Sequence, residues 1–283
     1  MMKSASSGGP EAGSLPPAAP PEAGEDGGVP QGQDPMMRES LSRIFDDTLK
    51  SIGDKMPKRK KLTQKEGFKA GADPQFVESL KIGPWASYSL IDDPKHLCFV
   101  LSRYKFCAKM LEGKKQILEL GCGDGFGTPI VAQVVDKVIA IDSEPRLVNG
   151  NKRRLKKIPN IEFRVQNICD QVPEEIFDGI FSIDVIEHLD PHLNHTFMKN
   201  QCACLKDDGI CIIGTPNATA FKYAKDLNKF QHINNKSHQS LRQQMERYFK
   251  NVFMFSMNDE MVHTGYGPMA HYLFAMGVGV KRG

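Results

Sequence analysis

Residues 117–125 read Ile-Leu-Glu-Leu-Gly-Cys-Gly-Asp-Gly, and this stretch decides the fold. Ile117 to Leu120 predict a short, buried strand. The strand runs directly into Gly121, Gly123 and Gly125, where the chain must turn sharply and its backbone can approach a ligand. Apolar residues restart at helical spacing from Pro129 to Val135, with Thr128 as the expected cap. Strand, glycine turn and helix together form the geometry of a nucleotide-like crevice at the carboxyl end of a parallel strand.

The spacing separates two kinds of crevice. A dinucleotide fingerprint requires G-x-G-x-x-G. Counting from Gly121 the last position is Phe126, and counting from Gly123 it is Thr128, so neither register fits. Glu119-x-Gly121-x-Gly123-x-Gly125 instead resembles the first motif of class I S-adenosylmethionine-dependent methyltransferases. A second apolar strand, Val138 to Ile141, ends in Asp142, about 20 residues past the glycines, where a carboxylate suits two ribose hydroxyls.

The resemblance implies a doubly wound, Rossmann-like α/β fold. Its sheet would have seven mostly parallel strands, an antiparallel last strand and a helical N-terminal cap. Further strands are expected at 161–165, 177–183 and 209–214, with helical segments between them and a β-rich pair at 251–256 and 271–280. It also assigns S-adenosylmethionine to Glu119, Gly121, Cys122, Gly123 and Gly125 at the methionine end. Asp142 and Ser143 would take the ribose, Asn167 and Ile168 the adenine, and Asp184 the neighbourhood of the sulfonium. Asn167 departs from the acid frequent at its position, yet its carbonyl can still accept from the adenine amino group. Tyr88, Arg103 and Tyr104, in the helical segment before the first strand, are candidates to touch the methionine moiety or the acceptor. The same aromatic stripe also reads as packing.

The fourth strand tip discriminates acceptors. Asp184-Val-Ile-Glu187-His188 is similar to the D/E-x-x-E-H stretch of the ubiquinone-biosynthesis O-methyltransferases rather than to the Asn/Asp-Pro-Pro-Tyr of amino-methylating enzymes. In those relatives the acid, glutamate and histidine can hold a magnesium-class ion, so Asp184, Glu187 and His188 are a candidate set. The alternative, taken as the main reading, is that the histidine packs beneath the cofactor and no metal binds. For a general base the candidates are His232, His188, His263 and His271, with His232 first because it lies in the 217–247 insertion where the acceptor pocket is expected. Loop histidines also occur simply as surface groups.

Composition narrows the rest. With 283 residues, 25% charged and 40% apolar, the chain reads as an ordinary soluble protein, and a net charge of +3 gives no argument for nucleic acid or membrane. No apolar run reaches the length of a membrane span. Seven cysteines without a C-x-x-C pair read as reduced thiols in a cytoplasmic setting.

Residues 1–35 hold seven prolines, seven glycines and no aromatic residue, a composition expected to be disordered. Leu41, Ile44, Phe45, Leu49 and Ile52 predict an amphipathic helix, and Lys55 to Lys61 a basic linker, so that 36–73 precedes a methyltransferase domain at 74–283. The expected acceptor is a small molecule methylated at oxygen, a sugar or glycan precursor or a quinone-like phenol. The basic run and the tail keep RNA or protein open as acceptors. A domain that binds the cofactor without turnover is a third reading.

Overall fold

A computed structural model describes residues 80–223 and 230–282. The expected tail (1–35), the helix through Leu41 to Ile52, the basic run and residues 224–229 of the insertion lie outside the described residues.

Two helices come first, α1 (Pro84–Asp92) and α2 (Lys95–Leu111). Then β1 (Gln116–Leu120), α3 (Thr128–Ala132), β2 (Lys137–Asp142), α4 (Pro145–Arg154), β3 (Ile161–Val165) and β4 (Phe177–Ile183) alternate. They are followed by α5 (Asn194–Ala203), β5 (Leu205–Pro216), α6 (His238–Glu246), β6 (Phe249–Asn258), β7 (Met261–His263) and β8 (Tyr272–Val280). One eight-stranded sheet results, in the order β3-β2-β1-β4-β5-β8-β6-β7. The first five strands pair in parallel, and β8 enters antiparallel between β5 and β6. Seven strands match the expected layout. The eighth, β7, folds back on the end of β6 and pairs Ser256 with His263.

The inner parallel strands are largely apolar on both faces because each face is covered, whereas β3 at the edge alternates with Glu162 and Arg164. Leu118, Leu120, Ile139 and Ile141 pack with Phe197 and Met198 of α5 and Leu241 and Met245 of α6. On the opposite face Ile117, Val138, Ala140 and Phe181 meet Tyr104 and Leu111 of α2, Val131 of α3 and Val148 of α4. The two faces belong to alternate residues of each strand, as the pleat demands.

Glu144 caps α4 by accepting from the Arg146 N–H, and Ser237 with Ser240 forms a capping box on α6. Thr128 does not cap α3: Gly127 holds that position, and the Thr128 side chain is buried inside the first turn. The cap position of α2 falls on Pro94, which supplies no side-chain cap. Order reverses between β1 and β4, so the crevice at the carboxyl ends of these two strands is the switch point where such folds bind ligands.

Candidate active site

Backbone geometry builds the floor of the crevice. Gly121, Gly123 and Gly125 have φ of 67°, 53° and 62°, in the left-handed region that side chains disfavour by about 1–2 kcal/mol. At Gly121 space is also closed, since a Cβ would lie 2.4 Å from Cγ2 of Val185. The N–H groups of Gly121 and Cys122 both donate to the Ile141 carbonyl, at 2.8 and 3.1 Å. Asp142 accepts from the Gly123 N–H through Oδ2 and from the Glu144 N–H through Oδ1, each at 2.9 Å. Asn151 of α4 donates to the Gly123 carbonyl at 2.8 Å. The loop is thus tied to β2 and α4, and a carboxylate sits beside it with lone pairs to spare.

Above the loop lies a cleft of about 1060 Å³. Gly121, Cys122, Gly123, Asp142 and Ser143 form its floor, Asn167 and Ile168 one end, and Asp184 and His188 the other. Tyr88 and Trp85 of α1 also line it. Five aspartates line it (Asp92, Asp93, Asp124, Asp142, Asp184), and among the described residues no lysine or arginine does.

Three expected site residues stand elsewhere. Gly125 and Glu119 do not reach the lining. Alternation along β1 turns Glu119 with Ile117 towards α2, where Oε1 accepts from the Tyr104 hydroxyl at 3.0 Å and Oε2 is buried without a partner. Burial pushes the Glu119 pKa up to about 7. Arg103 lies outside the lining: its Nη1 donates to Asp184 Oδ2 at 2.5 Å, and the guanidinium stands 4.0 Å over the Tyr272 ring. Asp184 itself has φ 57°, a costly conformation for a non-glycine residue and one that clusters at functional sites.

Asn167 lines the cleft, but its Oδ1 already accepts from the Cys169 N–H at 3.0 Å and its Nδ2 donates to Asp170 at 2.9 Å. The second lone pair of Oδ1 and the second N–H of Nδ2 are left for a ligand.

The histidines separate. His188 is in the cleft wall, and His232 packs edge-on against it with ring centroids 4.9 Å apart. His188 Nδ1 lies 3.2 Å from the Gln231 carbonyl, which can only accept, so in the neutral ring Nδ1 carries the proton and Nε2 is the free base. His232 Nδ1 is buried without a partner, and burial followed by the charge of His188 lowers its pKa. His263 does not belong to the cleft. It ends β7 at the outer edge of the sheet, where Nδ1 accepts from the Gly265 N–H at 2.9 Å and Nε2 meets Asn258 at 3.0 Å. The segment after Asn258 turns back as β7 onto the end of β6.

Ligand atoms of Glu187, His188 and His232 lie within 4.8 Å of one another. Glu187 is fully buried, with Oε2 accepting from the Thr215 hydroxyl at 2.9 Å and Oε1 unpartnered. Burial and then Asp184 raise its pKa to about 8. One carboxylate and two imidazoles suit a divalent ion such as zinc or manganese better than magnesium. His232 thus replaces Asp184, which Arg103 occupies, in the expected ligand set.

The cleft fits an adenosyl sulfonium: a backbone cradle that side chains would block, a carboxylate at the second strand tip, and an acidic lining suited to a cation. A doubly wound sheet with this cradle is the class I S-adenosylmethionine-dependent methyltransferase fold. The sequence profile of a family described as a methyltransferase domain matches residues 94–251, and the chain belongs to that family.

A probable S-adenosylmethionine-dependent methyltransferase of Mycobacterium tuberculosis is 29% identical over 119 residues, 41% of this chain and 42% of that one. A ubiquinone biosynthesis O-methyltransferase of Xanthomonas oryzae is 31% identical over 114 residues, 38% and 46% of the two chains. The match therefore spans less than half the length of these curated relatives. Among solved structures, an S-adenosylmethionine-dependent methyltransferase from Clostridium acetobutylicum superposes with a TM-score of 0.56 at 11% identity, covering 69% of this chain and 98% of its own. The N-methyltransferase NodS from Bradyrhizobium japonicum, in complex with S-adenosyl-L-homocysteine, gives 0.52 at 18%, covering 70% and 94%. At these identities the likeness is one of fold.

Proposed function

We propose that the chain transfers a methyl group from S-adenosylmethionine to a hydroxyl oxygen of a small acceptor, a sugar or glycan precursor or a quinone-like phenol. The sulfonium supplies an electrophilic methyl group. The protein has to hold the acceptor oxygen in line and take its proton. Gly121, Cys122 and Gly123 hold the methionine end, Asp142 and Ser143 the ribose, and Asn167 and Ile168 the adenine. Tyr88 and Asp184 flank the reacting end. Glu119, Gly125 and Arg103 support these groups from behind: Glu119 under β1, Gly125 by shaping the turn, and Arg103 by fixing the Asp184 carboxylate.

The observation that carries the reading is the place of His188 in the cleft wall with its Nδ1 against the Gln231 carbonyl, which leaves Nε2 as the basic nitrogen. His188 then acts as general base, ahead of the His232 that sequence position favoured. His232, kept neutral by burial, leaves room for the positive charge that His188 gains. His263 has no part in the reaction. The lining without lysine or arginine supports an acceptor free of phosphates over RNA, whose backbone is normally held by such side chains.

A second reading is favoured by the unpartnered Oε1 of Glu187. There Glu187, His188 and His232 would hold a divalent ion, which supplies Lewis-acid polarisation of an acceptor oxygen. We rank it second because Glu187 is held largely protonated at neutral pH. We assign catalysis to the domain at 74–283, with the 217–247 insertion over the acceptor, and place it in the cytoplasm, consistent with seven free thiols. No helix among the described residues is long and apolar enough to cross a membrane.

The test is calorimetry with S-adenosylhomocysteine, followed by transfer of label from the methyl donor to a panel of sugars and phenols. Micromolar binding with labelled product is expected. Binding without product on any hydroxyl, but with product on RNA or protein, would overturn the small-acceptor reading. No binding would overturn the whole.

A further inference from the structure

Asp124, in the glycine turn, reaches with its side chain to the first helix. Its carboxylate is buried, with Oδ2 accepting from the Ala86 N–H at 2.9 Å and Oδ1 from the Phe126 N–H at 3.3 Å. Ala86 is the third residue of α1, and the cap position of that helix is Gly83, which has no side chain to satisfy the first-turn N–H groups. Asp124 therefore caps α1 from 38 residues away.

Gly83 is shaped for this contact. Its φ is 95°, and a Cβ there would come within 2.7 Å of the Asp124 side chain. Arg154 reinforces the join by donating from Nη2 to the Asp124 carbonyl and from Nη1 to the Lys81 carbonyl at 3.1 Å.

Helix α1 buries little of its own surface. Of its nine residues only Ala86 is buried, and Trp85, Tyr88, Leu90 and Ile91 are more than half exposed. An element with so few buried apolar contacts opens locally at low cost unless a specific bond restrains it. Yet Trp85 and Tyr88 line the same cleft as the glycine floor.

We propose that Asp124 is a positioning residue: by capping α1, it sets the distance between that lining helix and the loop that cradles the donor. Its carboxylate, rather than contact with the donor, couples an ordered loop to a fixed helix. The part about the donor rests on the function proposed above, and the part about the helix does not.

Hydrogen exchange on the full chain separates the two. In Asp124→Ala without ligand, amides 86–92 should exchange at least about ten-fold faster, the loss expected for a bond to a charged acceptor, while β1 and β2 amides keep their protection. Asp124→Asn, which retains a carbonyl acceptor, should restore most of it. S-adenosylhomocysteine should slow exchange of 86–92 in the natural chain and much less in Asp124→Ala. The acceptor KM should rise more than kcat falls. Unchanged exchange of 86–92 in ligand-free Asp124→Ala would overturn the proposal, as would equal loss of protection across β1 and β2. Absence of any effect of S-adenosylhomocysteine on the natural chain would count against the donor site, leaving the ligand-free comparison to decide the cap.

Discussion

Replacing Glu119 by glutamine isolates the cost of a buried charge beneath the active-site loop. The carboxyl has no exit to solvent, and burial raises its pKa from 4.5 to about 7. Each tenfold change in proton affinity corresponds to about 1.4 kcal/mol, so the ionised form destabilises the folded chain by about 3 kcal/mol relative to the protonated one. The sign follows from proton counting. Between about pH 4.5 and 7 the folded chain binds more protons at this site than the unfolded chain, so stability is fully present below that window and lost as pH rises through it.

Glutamine keeps the oxygen that accepts from Tyr104. Its new amide group faces the region of the Thr128 hydroxyl, which is itself buried without a partner. Glu119→Gln should therefore match the natural chain near pH 5 and exceed it by about 3 kcal/mol above pH 7.5, in urea titrations at a series of pH values. Because Glu119 does not reach the cleft, affinity for S-adenosylhomocysteine should change by less than about threefold, or 0.7 kcal/mol. A variant whose stability falls with pH as in the natural chain would refute the burial argument. A hundredfold loss of affinity would show that the carboxylate turns into the cleft.

Asp142→Ala should weaken S-adenosylhomocysteine binding by at least about tenfold, because both a ribose partner and the tether to Gly123 are lost. Calorimetry with retained far-ultraviolet circular dichroism is the check. His188→Ala should lower kcat by about 10²–10⁴-fold. His232→Ala should have a smaller effect and shift the acidic limb of the pH–rate profile, since the neutral neighbour of the base is gone. Turnover should survive dialysis against a chelator; abolition of activity with restoration by manganese or zinc would move the metal reading to first place.

Much of this was legible in the sequence because it is local. Apolar runs and glycine spacing mark β1 to β4 and the crevice, since strands covered on both faces are largely apolar. The misread residues depend on distant partners. Glu119 sits in the motif, but the pleat, together with Tyr104, turns it away from the ligand. Asp124 reads as a spacer between glycines until Gly83 and Ala86 are brought to it. Its signal was available: a lone acid in a glycine turn, and a glycine-proline pair opening a helix with no side-chain cap. His263 was misplaced because β7 is only three residues long, too short to show a pattern, and it carries the histidine to the sheet's far edge. Arg103 reaches Asp184 across 81 residues, which no local reading supplies.

The place of β8 has a consequence for synthesis. It follows every other described strand in chain order, yet it fills the gap between β5 and β6 and pairs antiparallel with each. On the ribosome, β5 therefore waits with a bare apolar edge, and β6 has no partner beyond β7, until residues 272–280 have emerged from the exit tunnel. A stop placed before Tyr272 would leave a sheet with an open seam, and such a chain should be sought among aggregates.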